Sequence, residues 1–220
     1  MDEGRRIDHT EVLAGATSAT IADVLDHIGH REQTLDAAIR PLWSGARLAG
    51  RIVPVRVEAS DEIPDLPYDG EMAALDALTP GDVPLYSVDA QTRAATWGEL
   101  FSCGALGRGA RGAIVDGLVR DAAQIEELAF PVFARGCSPL DTLGRAQVTA
   151  WGVEAVCGGV AVCPGDFVVA DVDGIVVVPA GRIDDVLEAV KVKSRLEAGA
   201  RDDLLSGMGV REVWDKYGVF

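Results

Sequence analysis

Side chains that commonly carry out nucleophilic or metal chemistry are scarce in this chain, and their positions narrow the chemistry. All three lysines (Lys191, Lys193, Lys216) lie in the C-terminal helical region, so a Schiff-base lysine in the middle of the chain is not expected. All three histidines (His9, His27, His30) fall within the first thirty residues, which excludes a histidine-rich metal site elsewhere. The four cysteines (Cys103, Cys137, Cys157, Cys163) form no C-x-x-C pair and have no histidine near them in sequence. They read as scattered reduced thiols of a cytoplasmic protein, not as a zinc site or a disulfide framework. Long apolar runs are also missing. The longest, Ile175 to Ala180, is far too short to span a bilayer. The polar opening Met1 to Arg6 has no apolar stretch behind it, so no signal peptide is expected.

Positive charge is in deficit, with 35 Asp and Glu against 20 Lys and Arg, a formal net charge of −15. That balance argues against sequence-independent nucleic-acid binding, which needs basic patches to release counterions. It equally disfavours an anionic membrane surface. An anionic substrate would need local arginine or a metal to overcome the global field.

What is present is ordinary for a globular protein: 220 residues, 48% hydrophobic and 25% charged. No linker composition interrupts the chain, so one domain over residues 1–220 is the simplest expectation. Thr17 or Ser18 can cap a helix reaching about Ile28, with Ile21, Val24, Leu25 and Ile28 on one face. Leu48 to Val57 reads as a strand interrupted by Pro54, hence an edge or a bulge. Glu58 to Gly70 reads as a polar surface loop. Pro80-Gly81-Asp82 and Pro164-Gly165-Asp166 each turn into an apolar strand, which marks either two related strand entries in one sheet or a coincidence of so short a phrase.

A helix over 98–106, a buried strand at Ala113-Ile114-Val115, a helix over Ala122 to Leu128 and a strand from Pro131 give the middle of the chain βαβ order. After Val153, short strands separated by glycine turns read as hairpins. An amphipathic helix is expected over 181–198 and a short helix over 210–217.

Gly107-Arg-Gly-Ala-Arg-Gly112 matches G-x-G-x-x-G, but it ends a helix and precedes a strand, the reverse of a dinucleotide fingerprint. The more informative block is Trp97 to Asp121. Arg120-Asp121 closes it where a strand hands over to a helix, with Asp116 and Gly117 read as the turn leading out of that strand. Open α/β sheets place ligands at such strand ends. Two plainer readings compete: Asp121-Ala-Ala-Gln124 resembles a capping box, and Arg120 could pair with Glu126.

At the other end of the block, the backbone N–H groups of Gly98, Glu99, Leu100 and Phe101 open a helix and can receive a carboxylate. Glu99 is also a first-turn glutamate suited to the helix dipole. A helix start, an arginine and an aspartate together suit a small 2-oxo acid. With no His or Cys pattern nearby, any metal would be hard and oxygen-bound, Mg²⁺ or Mn²⁺.

Several runs together resemble the RraA-like family, which includes the regulator of ribonuclease activity A and the 4-hydroxy-4-methyl-2-oxoglutarate aldolases. They are W-G-E-L-F (97–101), V-D-G-L-V-R-D (115–121), F-P-V-F-A-R-G-x-S-P (130–139) and G-G-V-x-V-x-P-G-D-x-V-V-A-D-x-D-G (158–174). Ile39-Arg40-Pro41-Leu42 and Arg47-Leu48-Ala49-Gly50 also fit its N-terminal pattern.

The resemblance covers a core of about residues 15–180, followed by C-terminal helices over about 181–217. It implies an α/β protein with a swivelling phosphohistidine-domain-like β/β/α fold, a central mixed sheet and flanking helices. It also implies a homotrimer or hexamer with sites between subunits, and divalent-metal-dependent lyase activity that releases pyruvate by aldol cleavage or by decarboxylating oxaloacetate. The alternative it carries is a non-catalytic regulator that binds a ribonuclease.

Carried onto this sequence, the backbone of Gly98, Glu99, Leu100 and Phe101 would bind the substrate carboxylate. Arg120 would hold the keto oxygen and stabilise the enolate. Asp121 would anchor Mg²⁺ or Mn²⁺, and Glu99 would position a metal-bound water that acts as base. The family's aldolases usually have Asp where this chain has Glu99, one methylene longer. They also receive a glutamate from a neighbouring subunit's C-terminal region, for which Glu188 and Glu197 are candidates here.

Overall fold

The computed structural model describes residues 9–219. Met1 to Arg6, on which the signal-peptide expectation rests, lie outside the described residues. In chain order the elements are α1 (His9–Ala14), α2 (Ser18–His27), β1 (Arg40–Pro41), β2 (Leu48–Ala59), α3 (Asp69–Asp76), β3 (Asp82–Val88) and β4 (Ala95–Trp97). They continue with α4 (Glu99–Gly107), β5 (Ala113–Val119), α5 (Ala122–Glu127), β6 (Val132–Cys137), β7 (Ala146–Trp151), β8 (Ala155–Cys157) and β9 (Val160–Val162). The last are β10 (Phe167–Ala170), β11 (Ile175–Val178), α6 (Ile183–Leu205) and α7 (Val210–Tyr217). Among the described residues no helix is long and apolar enough to cross a membrane.

The central sheet is mixed, in the order β1-β6-β5-β3-β2-β10-β11, with β4 added to β5 and β7 added to β2. The β2–β3, β3–β5, β5–β6 and β4–β5 pairings are parallel, whereas β1–β6, β2–β10, β10–β11 and β2–β7 are antiparallel. Alternation along the strands sorts the core into layers. Leu48, Ile52, Val83, Leu85, Val168 and Val177 face the small β8–β9 hairpin, where Cys157, Val160 and Val162 meet them. Val55, Val57, Tyr86 and Trp97 face the opposite way, with Ala74, Ala105 and Ile125 of α3, α4 and α5. Ala49, Val169, Val176 and Val178 extend that face under α1, α2 and α6. The result is the β/β/α layering with a central mixed sheet and flanking helices that the sequence implied.

Thr17 caps α2 by accepting the Thr20 N–H at 3.1 Å. The two Pro-Gly-Asp turns are chemically alike. Asp82 accepts the Thr79 N–H and Asp166 the Cys163 N–H, each at 2.8 Å, while Gly81 and Gly165 both adopt φ 90°. They launch β3 and β10 along opposite edges of β2.

Two expectations are corrected. Of the two alternatives that Pro54 raised, the edge is overturned, since β2 lies inside the sheet, whereas an irregularity does interrupt its pairing with β7 between Arg56 and Val57. Arg51 donates its N–H toward β3 and Ile52 toward β10, so Pro54 faces the same side as Ile52. On that side β10 pairs only with residues 48–51 and β7 only with 55–59, so the missing N–H falls at the changeover between them.

Asp116 and Gly117 do not turn the chain out of β5. The strand continues to Val119 through an irregularity between Val115 and Leu118. Asp116 is held sideways there by Arg135 and by the Gly158 N–H at 2.6 Å. A Cβ on Gly117 would lie 3.0 Å from Val88, whose side chain fills that space. Past this point β5 exchanges β3 for β4 as its neighbour, pairing Leu118 with Ala95 and Val119 with Trp97.

Candidate active site

The exchange of partners brings Arg120-Asp121 and Trp97-Gly98-Glu99 together. The Arg120 N–H donates to the Trp97 carbonyl at 2.9 Å. Trp97 is buried, edge-on to Tyr86 and Phe101 and stacked with Phe130. Its Nε1–H donates to Ser102 Oγ at 2.8 Å, and Ser102 donates in turn to the Gly98 carbonyl at 3.1 Å. The indole thereby fixes the first turn of α4. The N–H groups of Leu100 and Phe101 precede the first helical hydrogen bond, which Ser102 makes to Gly98 at 3.0 Å. The Glu99 N–H is already engaged, donating to Asp121 Oδ2 at 3.2 Å.

Asp121 stands at the N-cap position of α5 but does not cap it. Its backbone is left-handed (φ 59°, ψ 35°) and its side chain makes no capping bond. This corrects the capping-box reading: the conformation turns the carboxylate away from α5, toward the start of α4. Gly98 makes the approach possible, since a Cβ there would lie 2.8 Å from Asp121 Oδ2 and 3.2 Å from Arg120 Cγ.

Arg120 does not pair with Glu126. Its Nε lies 3.6 Å from Asp121 Oδ2 and its Nη1 lies 3.6 Å from Asp141 Oδ1. Burial by itself would raise the Asp141 carboxyl. The Tyr68 hydroxyl, the Arg120 charge and the Thr142 and Leu143 N–H groups hold it below the ordinary carboxylate value. Tyr68 donates to Asp141 Oδ2 at 2.6 Å, which pushes its own hydroxyl up.

These groups line a cleft of about 370 Å³, walled by Ala95, Trp97, Leu100 and Phe101 and containing Glu99, Arg120, Asp121, Asp141, Tyr68 and Thr142. Gly98, Glu99, Leu100, Phe101, Arg120 and Asp121, the residues that the sequence pointed to within this block, are therefore in one place. An adjoining hollow of about 430 Å³ shares Arg120 and Asp121 and is lined by Cys137, Ser138 and Pro139.

Tyr68, Asp141 and Thr142 were not singled out from the sequence. Asp141 follows β6, so the rule that ligands gather beyond parallel strand ends could have found it. Tyr68 lies in the segment read as a surface loop and gives no local signal. Glu188 and Glu197 are both on α6, paired with Lys191 at 2.6 Å and Lys193 at 3.4 Å, and neither lines this cleft. The lining has no histidine or lysine.

Among the described residues, no three His, Cys, Asp or Glu side chains are gathered so as to hold a metal ion. The described residues therefore do not form a closed protein cage. Asp121 is exposed, its Oδ2 is engaged by Glu99 and Arg120, and its Oδ1 has no partner among the described residues. One free carboxylate oxygen in an open, polar cleft fits a hard cation that keeps most of its waters, as Mg²⁺ does.

The family model described as RraA-like (Aldolase/RraA) matches residues 18–177. A Halalkalibacterium halodurans protein named "Putative 4-hydroxy-4-methyl-2-oxoglutarate aldolase" is 31% identical over 215 residues, covering 96% of this chain and 95% of its own length. Among solved structures, Streptomyces coelicolor RraAS2 is described as an unusual member of the RNase ES inhibitor RraA protein family. It matches with a TM-score of 0.75 at 27% identity, over 88% of this chain and 95% of that one. An uncharacterized Pseudomonas syringae pv. tomato protein reaches 0.84 at 24% identity, over 95% and 93% of the two chains, a likeness of fold.

Proposed function

This chain belongs to the RraA-like family, and from that premise we propose that it is a divalent-metal-dependent lyase releasing pyruvate from 2-oxo acids. The observation that carries the reading is the junction of the two halves of the cleft. The α4 start and the Arg120-Asp121 pair meet across Gly98, with Glu99 between them. The proposal extends to a cytoplasmic trimer or pair of trimers, in which Glu188 or Glu197 of a neighbouring copy reaches the cleft. Sedimentation equilibrium measures that assembly.

In this reading the substrate carboxylate meets the N–H groups of Leu100 and Phe101 at the helix start. The Arg120 guanidinium faces the keto oxygen. For a 4-hydroxy-2-oxo acid, Glu99 accepts the hydroxyl proton, directly or through a water. The bond between the third and fourth carbons then breaks, and its electron pair becomes the enolate of pyruvate. A proton returned to the third carbon completes pyruvate. Loss of carbon dioxide from oxaloacetate leaves the same enolate, so one site serves both reactions. Charge grows on the keto oxygen in both cases, and a fixed cation there is worth most in the transition state. Asp121 would hold Mg²⁺ or Mn²⁺, which supplies Lewis-acid stabilisation of the same charge when bound.

The test is pyruvate release, coupled to lactate dehydrogenase, over a panel of 2-oxo acids with Mg²⁺ or with EDTA. Turnover is expected with metal, and Arg120→Ala is expected to abolish it. Unchanged turnover in that variant would sink the assignment. The likeness to Streptomyces coelicolor RraAS2 favours a second reading, a regulator that binds a ribonuclease. That reading gains if no 2-oxo acid is cleaved and a purified ribonuclease is retained in a pull-down.

A further inference from the structure

Arg120 is flanked by two carboxylates, and only one of them belongs to the Arg-Asp pair. Asp121 faces Nε and Asp141 faces Nη1, each at 3.6 Å, while Nη2 has no partner among the described residues. Two nitrogens of the planar guanidinium thus face carboxylates, and the third, Nη2, keeps both of its N–H donors free. Asp141 is itself fixed. Its Oδ2 accepts the Tyr68 hydroxyl at 2.6 Å, and its Oδ1 lies 3.3 Å from the Thr142 hydroxyl. Tyr68 is in turn held with φ 62° and ψ 19°, a conformation that a bulky residue rarely adopts, immediately before α3. That backbone turn lets a residue of the α3 segment reach the loop after β6.

We propose that Asp141, fixed by Tyr68, is a positioning residue for Arg120, holding its free Nη2 ready for the substrate oxygen. The inference rests on the lyase reading above. Arg120 is about two-fifths exposed and reaches the cleft on a long flexible stem. A guanidinium that must meet an oxygen as charge develops on it gains from being oriented beforehand. Contacts of 3.6 Å restrain it without the grip of a short bidentate bond. Both oxygens of Asp141 have partners, Oδ2 the Tyr68 hydroxyl and Oδ1 the Thr142 hydroxyl and Arg120, as suits a positioning role. The titratable and charged groups facing it are Tyr68 just before α3, Glu71 of α3, Arg120 beyond β5, and Arg145, which donates to its backbone carbonyl at 3.1 Å. The Tyr68 hydroxyl and Arg120 both favour the charged form of Asp141, against the raising effect of burial.

The experiment compares full-length wild type, Tyr68→Phe, Asp141→Asn and Asp141→Glu with saturating Mg²⁺. It reads kcat and KM for pyruvate release from oxaloacetate between about pH 4 and 9, together with thermal melts. Tyr68→Phe removes one hydroxyl and is expected to lower kcat about five- to tenfold with KM within twofold, the pattern of lost transition-state stabilisation. Its acid limb should move to higher pH, because Asp141 loses a bond that favours its charged form. Asp141→Asn should lower kcat further, roughly thirtyfold, and Asp141→Glu should recover part of that loss. An active wild type with kcat and acid limb unchanged in Tyr68→Phe overturns the inference alone, even if the Asp141 variants fail to fold. A wild type that releases no pyruvate overturns the lyase reading and this inference with it.

Discussion

The Asp121 carboxylate accepts the backbone N–H of Glu99 at 3.2 Å, although 22 positions separate the two residues. This bond joins a helix start to a strand end and so unites the two halves of the cleft. It depends on β5 running past its irregularity at Asp116-Gly117 to lie beside β4. It depends equally on the left-handed backbone of Asp121. Neither condition is satisfied by side-chain chemistry within the cleft, so the site is built by the sheet.

Gly98→Ala tests that junction most directly. The φ of Gly98 is −158°, extended backbone that alanine also adopts, so the fold should persist. The new Cβ would lie 2.8 Å from Asp121 Oδ2, and the carboxylate must move away. Displacement of this size costs roughly a hundredfold in turnover. Steady-state kinetics beside a thermal melt read both parts, and unaltered kcat/KM would show that the close approach is irrelevant.

Asp121 separates backbone from side chain. Asp121→Gly suits the φ of 59° and should leave stability within about 1 kcal/mol of wild type, the relief of strain offsetting the added freedom of the unfolded chain. Asp121→Val is β-branched and should cost about 2 kcal/mol or more at that φ. Both should lose Mg²⁺-dependent turnover. Urea denaturation ranks their stabilities, and equal values for the two variants would contradict the strain argument.

The layers were readable from residue type, because the continuous apolar runs of β10 and β11 and the caps and turns around them are local signals. The Arg120-Asp121 pair was readable for the same reason: a short apolar strand ended there. What the sequence concealed depends on distant partners. Asp121 looks like a cap because Asp at an N-cap position usually is one. Only the presence of Gly98 across the gap lets its carboxylate turn elsewhere. Pro54 looks like an edge residue because the changeover from β10 to β7 is not a local property. Tyr68 and Asp141 are 73 positions apart in two connecting segments, and nothing in either segment announces the other.

Glu99→Gln distinguishes a chemical role from a helix-dipole role. The substitution keeps the backbone N–H that Asp121 accepts, so the junction should survive. If the carboxylate serves proton transfer, kcat should fall roughly a hundredfold while KM changes little. A glutamate that merely suits the first turn of α4 would give near-wild-type kcat and a stability loss below about 1 kcal/mol.

Asp171 provides a pH test of the scaffold, away from the cleft. It is buried, accepts the Ser18 hydroxyl at 2.6 Å and the Ser18 N–H at 2.8 Å, and so ties the start of α2 to the turn between β10 and β11. Burial alone would raise its carboxyl. The two Ser18 bonds, the Asp173 N–H and the Arg47 charge hold it below the ordinary value of 3.8. A carboxyl depressed in the folded state contributes fully above its unfolded value and loses that contribution as the pH falls through the folded one. Asp171→Asn should therefore destabilise by about 1.5–3 kcal/mol at pH 7, the usual range for hydrogen bonds to a charged group. The gap between wild type and variant should stay constant down to about pH 5 and close progressively below pH 4. Urea melts at pH 7, 5 and 3 measure it, and a gap that widens on acidification would refute the assignment of Asp171 as a charged anchor.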